Sequence, residues 1–135
     1  MMANEYMRRT NERGFEKFTE IGLHAWQLLV DLAQLPDDIR VYVLSHVDES
    51  DSGQIKIKTI GKMLDEKITL EGMVTIVLRT HVDGERFCFA TQNNGSDTTK
   101  SPMGLFESRM IDNDMAMVDA AICDYYEIKP QEKAE

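Results

Sequence analysis

The sequence predicts an α/β fold. Three observations carry that expectation. Apolar residues recur at three- and four-residue steps over the first 34 positions, a dense β-branched run follows, and two strand-like runs flank an Asp-Gly pair before a second helical pattern. At 135 residues and 15.5 kDa the chain has room for one small domain. The expected organisation is a single domain over 1–128 and a polar tail over 129–135.

Residues 5–34 read as one long helix that can break near Gly14. Phe15, Phe18, Ile21, Ala25, Leu28, Leu29 and Leu32 form its apolar stripe, and Gly22 lies beside the stripe and adds nothing to it. Leu35-Pro36-Asp37-Asp38 ends the helix, because proline disfavours the helical conformation in the residue before it. Ile39 to His46 is short, apolar and β-branched, which suits one strand buried on both faces of a parallel sheet. Val47 to Lys58, rich in Asp, Ser and Gly, reads as a mobile loop ending in the alternating Ile55-Lys56-Ile57-Lys58. Thr59 to Lys67 reads as a short helix capped by Thr59. Met73 to Val82 and Arg86 to Gln92 read as a β-hairpin closed at Asp83-Gly84. Met110 to Tyr126 reads as the last helix, with Met115, Val118, Ile122 and Tyr125 on one stripe and Asp112 and Asp114 complementing its dipole. Met110, Met115 and Met117 are expected to fill the core or an interface.

Net charge is -9, and it is unevenly spread. Residues 31–54 carry six acids against one base and residues 101–135 carry eight against three, whereas residues 55–100 carry six against seven. This balance argues against a basic nucleic-acid-binding domain and leaves only the middle segment fit to face a phosphate. No apolar run is long enough to span a membrane, and the first residues lack the basic and apolar regions of a secretory signal. The expected location is the cytoplasm, with Cys88 and Cys123 as reduced, buried thiols.

His46 closes the expected buried strand, and ligands of open α/β sheets sit beyond the carboxyl ends of strands. That makes His46 a candidate phosphate-sensing or base residue. Gly61-Lys62 invites comparison with a phosphate-binding loop, but position 56 is lysine where glycine is required and Met63 stands where a hydroxyl must hold magnesium. Lys62 remains a candidate phosphate contact as a point charge, and Lys100, between a polar loop and Pro102, is a third. His24, His46 and His81 are too scattered for zinc, and the cysteines lack a C-x-x-C spacing. Asp48, Glu49 and Asp51 do not match a calcium loop.

Five stretches in order are Tyr42-Val43-Leu44-Ser45-His46-Val47, Lys58-Thr59-Ile60-Gly61-Lys62-Met63-Leu64, F-C-F-A-T-Q-N-N-G from Phe87 to Gly95, Lys100-Ser101-Pro102-Met103-Gly104-Leu105-Phe106, and Ile111-Asp112-Asn113-Asp114. Together they resemble the carboxyl-terminal half of phage-encoded RecA-like ATP-binding proteins, the Sak-type single-strand annealing group, from about Met2 to Ile128. The resemblance implies a truncated RecA-like P-loop NTPase core with a long N-terminal helix, one buried strand, a β-hairpin and a C-terminal helix. The family's Walker A loop and Walker B strand would lie before Met1. By resemblance His46 matches a polar sensor position, Lys62 and Lys100 match the lysines of the Gly-Lys and Lys-Ser-Pro segments, and Val47 to Lys58 matches the region that approaches DNA.

The implied function is that of a fragment or subunit of a phage RecA-like recombination NTPase. Without a phosphate loop it is not an enzyme on its own and holds no cofactor alone, ATP with magnesium belonging to a complete assembly. A lone strand exposes its edge, so a homodimer or a partner chain is expected to complete the sheet, with single-stranded DNA bound only in an assembly. The alternative is a small acidic phage interaction protein that binds a host protein or a nucleotide-like ligand. A weaker idea makes His46 a general base acting on a nucleotide.

Overall fold

The structure, a computed structural model, describes residues 2–11, 14, 16–58 and 69–129. Its described elements are three α-helices and two small antiparallel sheets, a mixed α/β arrangement. Helix α1 spans Met2–Arg8 and α2 spans Glu16–Leu32. The break expected near Gly14 is present, and Gly14 takes a φ of 110°, which few residues other than glycine tolerate. It lets α1 fold back along α2. Arg9 Nη2 meets Glu20 Oε2 at 2.6 Å, Glu5 Oε1 meets His24 Nδ1 at 2.8 Å, and the Tyr6 and Phe18 rings lie 5.7 Å apart. Ile21, Gly22 and Ala25 are the buried face of α2, so Gly22 belongs to the stripe rather than beside it. Leu28, expected on that stripe, is exposed.

The parallel buried strand expected over Ile39–His46 is absent. Residues 39–46 carry no strand pairing, and Val43 is 62% and Leu44 91% exposed. β-Branched residues favour a pleated, half-buried surface, but a strand also needs a neighbour to hydrogen-bond. Neither described sheet includes this segment, and its one backbone bond toward a strand is from Lys58 N–H to the His46 carbonyl at its end.

The loop expected over Val47–Lys58 is instead a hairpin of β1 (Val47–Glu49) and β2 (Ile55–Ile57). Gly53, at a φ of 77°, closes its turn and donates its N–H to the Ser50 carbonyl at 2.8 Å. The alternating Ile55-Lys56-Ile57 is therefore a true period-2 strand signal. Asp48 faces Lys56, with Lys58 N–H on the His46 carbonyl and Ser50 N–H on the Gln54 carbonyl to either side. The odd-numbered N–H groups of β2 consequently point away from β1. Ile55 donates to the Ser96 carbonyl at 2.7 Å and Ile57 to Oε1 of buried Glu71 at 2.8 Å. Glu71 lies in a 3-10 turn over Leu70–Met73 and also accepts from Thr98 Oγ1 at 3.3 Å. One buried carboxylate thus ties β2 to a loop that joins two strands of the second sheet.

That second sheet has the order β3 (Arg79–Asp83), β4 (Arg86–Ala90), β5 (Met110–Asp112). The expected hairpin is present with shorter strands. Asp83 pairs with Arg86 around Gly84-Glu85, and Gly84 takes a φ of 62° at the first loop position, as a II′ turn demands. The core sits here: Cys88, Phe89 and Ala90 are buried in the central strand, with Leu105 and Val118. The chain after β4 is held by polar contacts. Thr91, fully buried, donates through Oγ1 to the Ser108 carbonyl at 2.8 Å, and Val77 and Lys100 exchange both backbone hydrogen bonds.

The last helix, α3, spans Met115–Tyr125 and starts five residues later than expected. Residues 110–112 are consumed by pairing with β4, so Asp112 is a strand residue whose carboxylate meets Arg86 Nη2 at 2.5 Å. Asp114 alone caps the helix, accepting from the N–H groups of Ala116 and Met117, which is worth about 1 kcal/mol. Met110, Met115 and Met117 are exposed rather than core. Cys88 is a buried free thiol as expected, and Cys123 is a half-buried one. Among the described residues no helix is long and apolar enough to cross a membrane. The expected Thr59–Lys67 helix lies outside the described residues.

Candidate functional site

Of the three residues expected to touch a phosphate, His46 and Lys100 are among the described residues. His46 stands exposed where the 39–46 segment enters β1, and its carbonyl accepts from Lys58 N–H and Ser45 Oγ. Lys100 is half-buried and its backbone is fixed to Val77, while no hydrogen bond or ion pair joins it to His46. Lys62 lies outside the described residues. Among the described residues no group of three or more His, Cys, Asp or Glu side chains is placed to hold a metal ion.

A different cluster is well built. Asp119, in the middle of α3, receives Arg40 on both carboxylate oxygens, Nε to Oδ1 at 2.5 Å and Nη2 to Oδ2 at 3.1 Å. The Tyr42 hydroxyl donates to the same Oδ1 at 2.5 Å, and the Cys123 thiol stands 3.9 Å from Oδ2. The side chains of Arg40 and Tyr42 thereby reach one carboxylate from positions two apart, the period of an extended chain. Segment 39–46 is thus an arm clasped onto α3 by side chains, in place of a ladder of backbone bonds.

The electrostatics follow from that geometry. The Arg40 hydrogen bond, then that of Tyr42, holds the Asp119 carboxyl below the usual carboxylate range. Burial, then the hydrogen bond to Asp119, pushes the Tyr42 phenol up to about 12. Arg40 is raised above its ordinary value by its hydrogen bond to Asp119. At neutral pH the clasp is therefore a guanidinium, a carboxylate and a neutral phenol, each in its bonding form.

Alternation gives the arm a second consequence. With Arg40 and Tyr42 turned to α3, Val41 and Val43 are left exposed, and further along Leu44 and Val47 are exposed as well. The outer edge of β1 is open as well. Since Asp48 faces Lys56 in the ladder, Val47 and Glu49 turn their backbone groups away from β2, and nothing among the described residues pairs with them. Exposed apolar side chains beside an open strand edge are what strand addition uses.

The sequence offered partial signals for this cluster. Arg40 and Tyr42 interrupt an apolar run at a spacing of two, which marks one face of an extended segment, and Asp119 is a charge set between Val118 and Ala120 in an apolar helix. Their meeting across 79 positions is a tertiary fact.

No protein-family model matches the chain, and no curated protein or solved structure matches it.

Proposed function

We propose that this chain is a non-catalytic subunit that joins a larger assembly through the arm over 39–47. The observation that carries this reading is the exposure of Val41, Val43, Leu44 and Val47 in one segment whose other side is fixed to α3 by Arg40 and Tyr42. Solvent-exposed apolar stretches of this kind mark interaction sites, and pre-ordering the arm lowers the entropy lost on association. The net charge of -9 favours a protein partner over naked nucleic acid.

In its finer form the assembly is a RecA-like recombination NTPase of the phage Sak-type group, acting in the host cytoplasm. The arm would complete a partner's sheet, as a partner chain or a second copy, and the partner would bring the phosphate loop. His46, Lys62 and Lys100 would approach ATP and magnesium only in that complex, and single-stranded DNA would be bound only there. The order of the five sequence segments supports this form. The alternative, a small acidic interaction protein that binds a host protein or nucleotide-like ligand, uses the same arm without a nucleotide site of its own.

Two measurements test these readings. Val43→Asp/Leu44→Asp changes only exposed side chains and is expected to leave thermal stability nearly unaltered while reducing binding of an apolar fluorescent dye to half or less. Dye binding equal to that of the wild-type chain would overturn the arm as the interaction segment. Calorimetry of the chain alone with ATP and magnesium is expected to give no saturable heat at about 0.1 mM nucleotide. Saturable binding that survives both His46→Ala and Lys62→Ala would remove those residues from any nucleotide site.

A further inference from the structure

The arm's flanks say what kind of strand it takes. Asp37 and Asp38 precede the apolar stretch, and Asp48, Glu49 and Asp51 follow it. The one base inside the stretch, Arg40, is committed to Asp119. Asp48 faces Lys56 across the hairpin and lies 3.9 Å from Lys58 Nζ, so two bases stand against the three acids Asp48, Glu49 and Asp51 at that end. The segment therefore presents an apolar centre with negative charge at both ends.

A second copy of the chain is a poor match to this pattern. Antiparallel pairing of two arms about Val43 sets Asp37 opposite Glu49, a like-charge pair repeated across the two-fold axis. Like charges directly opposite on neighbouring strands are destabilising. The parallel in-register arrangement sets each acid against its own copy.

We infer that the arm and the outer edge of β1 receive an extended segment of another protein that is apolar at its centre and carries lysine or arginine at both ends. This rests on the reading of the arm as the interaction segment and adds the chemistry of its partner. The added strand would hydrogen-bond to the outward groups of Val47 and Glu49 and to the arm beyond them. Its apolar side chains would cover Val41 and Val43, and its basic ends would meet Asp37 on one side and Glu49 and Asp51 on the other.

Two synthetic ten-residue peptides with the same alternating Val-Thr centre, one flanked by lysines and one by glutamates, provide the test against the full chain. The lysine peptide is expected to bind about tenfold or more tightly, the combined effect of several exposed opposite-charge pairs, and to lose most of that advantage in 0.5 M salt. It is also expected to slow amide exchange at Val47 and Glu49. The double variant Asp48→Lys/Glu49→Lys should erase or reverse the preference. Equal binding of the two peptides, or a preference that survives both salt and the double variant, would overturn the inference while leaving the arm as an interaction segment. If Val43→Asp/Leu44→Asp leaves dye binding unchanged and neither peptide binds, the reading of the arm falls, and this inference with it.

Discussion

Phe89→Ala is expected to lower the unfolding free energy by about 3–5 kcal/mol, which is a large part of the total stability of a domain this size. Phe89 sits at the centre of β4, opposite Thr80 on β3 and Ile111 on β5, and is only 7% exposed. Its removal takes a large apolar group from a strand hydrogen-bonded on both sides, so the backbone has little freedom to collapse into the space. The built-in control is Phe87, two residues earlier on the same strand and on the same face. It lies opposite Val82 and is 65% exposed. Phe87→Ala should change stability by no more than about 0.5 kcal/mol. Urea unfolding of both variants checks the pair. Equal effects would mean that the buried end of β4 is not the core of this sheet.

Asp119→Ala is expected to free the arm. In the intact protein one of the four tyrosines should titrate near 12 by ultraviolet absorbance, and the variant should lower it toward the ordinary value of about 10. Tyr42→Phe identifies that tyrosine, because the high-pH step should vanish with it. Chymotryptic cleavage after Tyr42 and Leu44 should accelerate roughly tenfold, the population change that accompanies loss of hydrogen bonds to a charged group. A titration unchanged by Asp119→Ala would remove the clasp.

The clasp also has a pH window whose two ends have opposite signs. Asp119 is depressed in the folded protein, so its contribution is complete above the ordinary carboxylate value of about 4 and is lost as pH falls through its lower folded value. Tyr42 is raised, so its contribution is complete below about 10 and is lost as pH rises through about 12. The arm should stay closed between those limits and open beyond either, which cleavage rates across pH would register.

Features set by residues a few positions apart were legible in the sequence. Gly14 breaks the N-terminal helical stretch, Gly84 turns the hairpin one residue after Asp83, and Asp114 caps the last helix. Each depends on the φ of one residue or on a side chain reaching its own backbone two or three positions on. Helix and strand signals overlap at two other places. Met110-Ile111-Asp112 extends the apolar pattern of α3 toward its N-terminus, but β4 claims it because a ladder partner is at hand. The Ile55-Lys56-Ile57 alternation is a strand signal, and the polar residues before it form its turn.

The chain's composition and local pattern by themselves determined a small acidic α/β protein, the break between its first helices, its main hairpin and its final helix. Only the tertiary structure decided what segment 39–46 is. A β-branched run states an affinity for a sheet and leaves open whether a neighbour exists, since pairing belongs to two segments and not to one. Here Arg40 and Tyr42 find Asp119 far along the chain, and that carboxylate, in place of a strand ladder, holds the segment. Side-chain hydrogen bonds satisfy one side of the arm alone. Its apolar side and the open edge of β1 are thereby left for another chain.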